Sequence, residues 1–202
     1  MQGNPQDASA RAPFEAVVLV ASAGGLEAFI QTLQKIPGSL PAAVIVAQHL
    51  SDRGSALVQI LSRCCDLPVF TLKAGEPLLL GRVYVAPARR RVELRKDLTF
   101  LLHSNERGAT ELPLDFLLQS VAESLGSRAL VVVLSGMGRD AAAGALAVRQ
   151  AGGAVIVQSE ETAGHSSMPH ASIRNGAASL VLPLSEIGRA VVEIVFGHRN
   201  PY

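Results

Sequence analysis

Short apolar runs alternate with amphipathic segments along most of this chain. The runs are nearly continuous in Val, Ile, Leu and Ala, and the segments between them carry apolar residues at helical spacing. Runs of this kind are typical of strands buried on both faces of a parallel sheet. The pattern therefore predicts an α/β fold, a single doubly wound domain with a mostly parallel sheet and helices on both faces. The predicted strands are 16–21, 42–48, 68–72, 83–87, 129–134, 154–157 and 180–182, and the main predicted helices are 25–36, 113–125, 141–151 and a last one capped by Ser185.

One stretch breaks this alternation. Residues 92–95 and 99–102 flank Lys96-Asp97, which predicts an antiparallel hairpin at one edge of the sheet.

The ends of the chain differ from its centre in composition. Residues 1–15 are rich in Pro, Ala and Ser and predict a flexible N-terminal arm. We expect the folded domain to cover residues 16–196, with 197–202 as a C-terminal tail.

Composition narrows the range of functions. The 202 residues are 49% hydrophobic and 17% charged, with a formal net charge of +1. That balance gives no reason to expect nucleic acid or an anionic membrane as the main partner. No apolar run is long enough to cross a bilayer. Cys64 and Cys65 are adjacent and are the only cysteines, so a disulfide framework is not expected and a cytoplasmic location is favoured.

Three predicted strands are followed by a residue whose side chain can take part in catalysis. Ser22 follows the first strand, His49 follows the second, and Asp140 follows the strand at 129–134. The carboxyl ends of parallel strands lie along one edge of a sheet, where ligands bind. A serine hydroxyl becomes a nucleophile when a base takes its proton, and the base needs an acid that fixes its orientation. The pattern thus predicts a Ser-His-Asp triad.

Each of these residues also has an ordinary structural explanation. Ser22 fits a turn or a helix cap, His49 fits a hydrogen-bonded structural histidine, and Asp140 fits a helix N-cap. The segment Ser135-Gly-Met-Gly138 is either a tight strand-to-helix connection or a loop whose Met137 N–H donates to an oxyanion. The remaining histidines are poorer candidates for a base: His103, His165, His170 and His198.

Several short motifs occur in an order that resembles a known family. Taken together they are similar to the catalytic domain of the chemotaxis protein-glutamate methylesterases, the CheB family. The resemblance covers about residues 16–195, and Ser-Gly-Met-Gly-x-Asp after an apolar strand is its most specific part. The motifs are Ala21-Ser-Ala-Gly-Gly25, Gln48-His49, Val85-Ala-Pro87, Leu134-Ser-Gly-Met-Gly-Arg-Asp140 and Met168-Pro169.

The resemblance implies an activity and a set of roles. It implies hydrolysis of glutamate methyl esters on the cytoplasmic helices of chemoreceptors, giving glutamate and methanol, together with deamidation of receptor glutamines in many members. It implies no metal and no cofactor. Matched by motif, Ser22 is the nucleophile, His49 the base and Asp140 its orienting acid. The residues that would shape the site or bind the oxyanion are Met137, Ala23, Gly24 and Gly136.

The chain also departs from the family pattern. Val20 and Ala141 each stand where the family usually has glycine. The family's receiver domain does not fit in fifteen N-terminal residues, so we expect a stand-alone catalytic domain controlled, if at all, by a separate regulatory or signalling protein. These departures leave an alternative open, a catalytically idle domain that binds signalling partners.

A nucleotide-binding module is a third possibility, because Gly24-Gly25 opens a helix. The missing Gly-x-Gly-x-x-Gly and Gly-Lys-Ser/Thr motifs argue against it.

Overall fold

A seven-stranded sheet forms the centre of the protein in the computed structural model, which describes residues 14–49, 55–104, 112–198 and 201. All seven strands are parallel, and their spatial order is β3-β4-β2-β1-β7-β8-β9. The predicted fold class is therefore confirmed. The strands of this sheet are β1 (Ala16–Ala21), β2 (Ala43–Gln48), β3 (Val69–Thr71), β4 (Val83–Val85), β7 (Ala129–Val133), β8 (Ala154–Gln158) and β9 (Leu180–Leu182).

The first strand of the chain is also the central one. Ala16 pairs with Ala43 of β2 on one side and with Ala129 of β7 on the other. From β1 the chain builds outward through β2 towards β3 and β4, and it then returns to the other side of β1 through β7. The loops after β1 and β7 therefore lead towards opposite sides of the sheet, and the space between them is a crevice at its carboxyl edge.

Helices cover both faces of the sheet. On β1, Val17 and Leu19 face the layer that contains α1 and α6, whereas Val18 and Val20 face the layer that contains α3 and α4. This alternation follows from the two-residue period of a strand, and it divides the core into two apolar layers. The helices are α1 (Gly25–Leu33), α2 (Ser55–Leu61), α3 (Pro113–Leu125), α4 (Ala142–Gln150), α5 (Ser167–Arg174) and α6 (Leu184–Val195), with a 3-10 turn at Gly126–Arg128.

The predicted hairpin is present as β5 (Arg90–Leu94) and β6 (Phe100–Ser104). It forms a two-stranded antiparallel sheet of its own and packs against α3, so it does not extend the large sheet. The Leu94 N–H donates to Ser120 Oγ at 3.0 Å, and Ser124 Oγ donates to the Leu94 carbonyl at 2.8 Å. These side-chain bonds from α3 satisfy strand groups that a neighbouring strand would otherwise pair.

Two helix boundaries differ from the prediction by two residues or more, and α4 is one residue shorter than predicted at each end. The N-cap of α6 is Pro183, with no side-chain cap bond, so the prediction that Ser185 caps this helix is wrong. The fixed φ of proline suits the start of a helix and sets this boundary two residues earlier. Helix α1 ends at Leu33, three residues before the predicted end. Residues 1–13, which make up most of the predicted N-terminal arm, lie outside the described residues.

Candidate active site

Ser22 lies in the short turn between β1 and α1. Its N–H donates to the Ser135 carbonyl at 3.0 Å. Its own carbonyl accepts the Gln48 side-chain amide at 2.9 Å and the Gly25 N–H at 3.1 Å. The backbone on both sides of the Ser22 side chain is therefore tied to the loop after β7, to the end of β2 and to the start of α1.

Small residues make this turn possible. Gly24 has φ +77°, and a Cβ placed there would come within 2.8 Å of Ser135 Oγ. Val20 stands where the resembling family usually has glycine, but it is fully buried inside β1 and pairs with Ala47 and Val133. The strand therefore continues through Val20, and the tight geometry begins only after Ala21.

His49 and Asp140 form the central polar contact of the site. His49 follows β2, and its N–H donates to the Ala21 carbonyl at 3.2 Å, which places it beside the end of β1. Its Nε2 is hydrogen-bonded to Asp140 Oδ2. The side chain of His49 is 42% exposed, whereas that of Asp140 is 6% exposed. The hydrogen bond and negative charge of Asp140 raise the pKa of His49, against an opposing effect of burial.

The backbone holds the Asp140 carboxylate firmly. Oδ1 accepts the N–H groups of Asp115 and Ala141, each at 2.9 Å, and Oδ2 accepts the Leu114 N–H at 3.1 Å. Asp140 thus caps the start of α3, whereas it is not the N-cap of α4, the helix that follows it in sequence. The N-cap of that helix, α4, is Ala141 in the left-handed region at φ +82°.

An open cleft of about 630 Å³ brings the candidate residues together. Ser22 and His49 both line it, and Asp140 stands behind the His49 ring. Among the described residues, no hydrogen bond joins the Ser22 hydroxyl to His49. The remaining residues that line the cleft are Ala23, Gly24, Gly25, Leu26, Glu27, Ile30 and Gln48.

Gly136 and Met137 lie on the opposite side of the turn that carries Ser22. The Gly136 N–H donates to the His165 carbonyl at 2.9 Å, so this group is not available to a substrate. What Gly136 provides is room, since a Cβ there would lie 2.7 Å from Met168 Cε and 3.0 Å from Ser22 Cβ. Met137 is 61% exposed, and within the described part of the chain its N–H has no acceptor.

A buried polar network behind the turn was missed by the sequence analysis. Gln158 is fully buried, and its Oε1 accepts the Ser135 N–H at 2.8 Å. Ser135 Oγ donates to the Ala23 carbonyl at 2.9 Å and accepts the His165 N–H at 3.0 Å. One signal was present, because Gln158, like Gln48, is a glutamine at the end of an apolar strand. His165 therefore contributes its backbone to this network.

The fold and these contacts define a class, a doubly wound α/β domain in which a serine turn and a histidine–aspartate pair meet at the carboxyl edge of the sheet. The family model for CheB methylesterase matches residues 17–191, and the chain belongs to that family.

Named relatives and a solved structure agree with this assignment. The chain is 37% identical over 193 residues to the protein-glutamate methylesterase/protein-glutamine glutaminase of Moorella thermoacetica, covering 93% of this chain and 46% of the relative. It is 36% identical to the protein-glutamate methylesterase FrzG of Myxococcus xanthus, covering 91% of this chain and 55% of FrzG. The chain thus spans about half the length of the curated relatives that it matches.

The structural match is to a catalytic domain. The crystal structure of the Thermotoga maritima CheB methylesterase catalytic domain superposes with a TM-score of 0.84 at 31% identity, covering 90% of this chain and 99% of that one. The sequence resemblance is therefore confirmed. In the described ranges, no helix is both long and apolar enough to span a membrane, and no group of three or more His, Cys, Asp or Glu residues is arranged to hold a metal ion.

Proposed function

We propose that this chain is a serine hydrolase that removes methyl esters from glutamate side chains of chemoreceptors, and that Ser22, His49 and Asp140 carry the reaction. The observation that carries this proposal is the buried Asp140, which is bonded to His49 beside the cleft that Ser22 lines. The names of the relatives supply the substrate class, because they are protein-glutamate methylesterases.

In the proposed reaction, the Ser22 hydroxyl attacks the ester carbonyl and its proton passes to His49. Because Nε2 of His49 is bonded to Asp140, Nδ1 is the ring nitrogen that would take this proton. The tetrahedral intermediate collapses, and methanol leaves with the proton from His49. Water then attacks the acyl-enzyme and gives a proton to His49, and His49 passes this proton to the Ser22 oxygen as the bond to the acyl group breaks. The product leaves as glutamate after it loses its acid proton to solvent. Asp140 stabilises the imidazolium at each step.

The negative oxygen of the intermediate needs donors that are already in position. We assign this role to the Met137 N–H, which has no acceptor in the described residues, together with the N–H groups of Ala23 and Gly24 just before α1. The first N–H groups of a helix have no partner within the helix and favour negative charge. Gly136 supports the same site by leaving space for Ser22 and Met168.

The same attack on a glutamine amide would release ammonia in place of methanol. The Moorella thermoacetica relative carries both activities in its name, and we include glutamine deamidation in the proposal. The proposed partners are the methylated cytoplasmic helices of chemoreceptors, and control by a separate signalling protein stays a prediction.

The test is methanol release from a methylated chemoreceptor cytoplasmic fragment. We expect Ser22→Ala and His49→Gln to lower kcat by about 10³-fold or more, as losses from a triad do. Two matched controls keep the wild-type rate. His103→Gln removes another histidine that is paired with a carboxylate, and Ser62→Ala removes an exposed hydroxyl just after α2.

Three outcomes separate the hypotheses. Methanol release that survives Ser22→Ala contradicts the assigned nucleophile. Absence of release by the wild-type protein, with a phosphonate adduct on Ser22 found by mass spectrometry, contradicts the substrate but keeps a serine hydrolase. Absence of both, with retained binding to the receptor fragment, supports the alternative of an idle binding domain.

A further inference from the structure

Two carboxylates form reciprocal hydrogen bonds between the first turn of α3 and the start of α4. Asp140, just before α4, accepts the N–H groups of Leu114 at 3.1 Å and Asp115 at 2.9 Å in the first turn of α3. In return, Asp115 Oδ1 accepts the Gly144 N–H of α4 at 2.7 Å. Neither helix receives a cap bond from the side chain of its own N-cap residue. Each helix is thus capped by a carboxylate that belongs to the other.

The two helices are in backbone contact at the same place. A Cβ on Gly144 would lie 2.6 Å from Leu118 Cβ and 2.8 Å from the Asp115 carbonyl oxygen. Contact this close leaves little room for one helix to slide along the other. Gly144 and Asp115 therefore fix where α3 begins relative to α4.

This geometry sets the orientation of Asp140. Asp140 has three backbone donors, and two of them, Leu114 and Asp115, belong to α3. Its side-chain partner is His49. If the start of α3 moves away from α4, those donors move with it and the carboxylate turns away from the imidazole. The bond between His49 and Asp140 thus depends on the contact between the helices.

The position of Asp115 is unfavourable for a charged carboxylate. It is buried, and its burial raises the pKa of its carboxyl group, while the Gly144 N–H lowers this pKa and the neighbouring Asp140 raises it further. Among the described residues, the charged or titratable groups around it are Asp140, His49 beyond Asp140, and Arg139, which lines the same small cavity. A buried carboxylate next to a second one is expected only where its hydrogen bonds are needed.

We propose that Asp115 is a positioning residue, which holds Asp140 against His49 by capping α4 while its own N–H binds Asp140. For catalysis this inference rests on the proposed function. For the geometry it stands alone, because the His49–Asp140 contact is tested without any substrate.

The experiment is an NMR titration of the His49 ring, assigned with His49→Gln, in the full chain and its variants. Asp115→Asn removes the charge and keeps an oxygen acceptor for Gly144, whereas Asp115→Ala removes both. Gly144→Ala changes no charge and pushes the helices apart. We expect the pKa of His49 to fall more in Asp115→Ala than in Asp115→Asn, and to fall in Gly144→Ala as well.

Ser120→Ala is the matched control. It removes another buried hydrogen-bonding side chain from the same helix, at the contact with β5, and we expect it to leave the His49 titration unchanged. On the methyl ester, we expect Asp115→Ala to lower kcat by about tenfold or more with KM unchanged, as loss of a group that orients a reacting residue does.

Two results overturn the inference. One is a His49 pKa that is equal in Asp115→Ala and Asp115→Asn. Both variants remove the charge of Asp115, so this result would mean that its charge alone, and not its bond to Gly144, affects His49. The other is an unchanged His49 titration in folded Gly144→Ala, and this variant decides the matter if Asp115→Ala does not fold. An inactive wild-type protein in which these titrations still shift as expected contradicts the proposed function and leaves the positioning role intact.

Discussion

The described part of the chain contains three histidine–carboxylate pairs, and two of them, which both use Nε2 of the ring, look alike in isolation and differ in their surroundings. His49 Nε2 is bonded to Asp140 at the carboxyl edge of the large sheet, and His103 Nε2 is bonded to Glu93 at 2.6 Å on the hairpin. The side chain of Asp140 is 6% exposed, whereas Glu93 is 33% and His103 is 32% exposed. Three backbone N–H groups fix Asp140, and the ring of His103 packs edge-on against Phe116.

The difference shows what makes such a pair useful for chemistry. A carboxylate on an exposed strand competes with water and keeps its side-chain freedom, so an ion pair there contributes little. A buried carboxylate with its oxygens already bound to the backbone can orient a ring and stabilise its charge without reorganising. The His49 pair also lies beside the turn that carries Ser22 and the cleft that Ser22 and His49 line.

We expect the largest effect from a substitution of Asp140, the acid of the His49–Asp140 pair. Asp140→Asn should lower kcat for the methyl ester by about 10³-fold or more, because the ring loses its orienting charge. Glu93→Gln, the equivalent change in the hairpin pair, should leave kcat unchanged. The measurement is steady-state methanol release with circular dichroism to verify folding. Equal losses in both variants would contradict the distinction between the two pairs.

A second, smaller effect is the dependence on pH. Asp140 raises the pKa of His49 above the ordinary 6.5, and a base must be neutral to accept a proton. We expect kcat/KM to rise with pH along an acid limb centred above pH 6.5, and the limb to move to lower pH in Asp140→Asn. A limb that stays in place in this variant would assign it to another group.

The same shift has a consequence for stability with a definite sign. Because the folded-state pKa of His49 is raised, its protonated form stabilises the fold. That contribution is fully present below the unfolded pKa of 6.5 and is lost as the pH rises through the folded pKa. Urea unfolding of wild type and His49→Gln across this interval measures it.

The smallest expected effect concerns Ala141, the residue between Asp140 and α4. At φ +82° an alanine is strained by about 1–2 kcal/mol. In Ala141→Gly the relief is offset by the chain entropy of glycine and by about 0.8 kcal/mol for the buried methyl group, so we expect a net change near zero. Ala142→Gly, without strain to relieve, should cost about 2 kcal/mol. Equal costs in urea unfolding would contradict the strain.

The sequence was informative wherever a local pattern decides the structure. Strand β1 has its predicted bounds, Ser22 and His49 directly follow β1 and β2, and Asp140 lies at the end of the loop after β7. These positions follow from the period of buried strands and from the rule that parallel strands share a carboxyl edge.

What the sequence did not reveal depends on contacts between distant segments. A position just before a predicted helix indicates an N-cap of that helix, but the N-cap of α4 is Ala141, and Asp140 caps α3 through N–H groups that are 25 and 26 residues away in sequence. The use of the Gly136 N–H by the His165 carbonyl and the packing of the hairpin against α3 are of the same kind. Tertiary register sets these contacts, and no local pattern encodes it.

The central position of β1 has a consequence for how the chain is made. A ribosome synthesises β1 first and β7 more than a hundred residues later, although the two strands are neighbours. Asp140 emerges 91 residues after His49, a delay on the order of ten seconds at ordinary translation rates. During that interval one edge of β1, a strand that is buried along its whole length in the folded protein, has no partner, and the nascent chain already carries its serine and histidine without the aspartate. The centre of the sheet, and the site with it, is therefore completed only after β7 and the loop that follows it have been made.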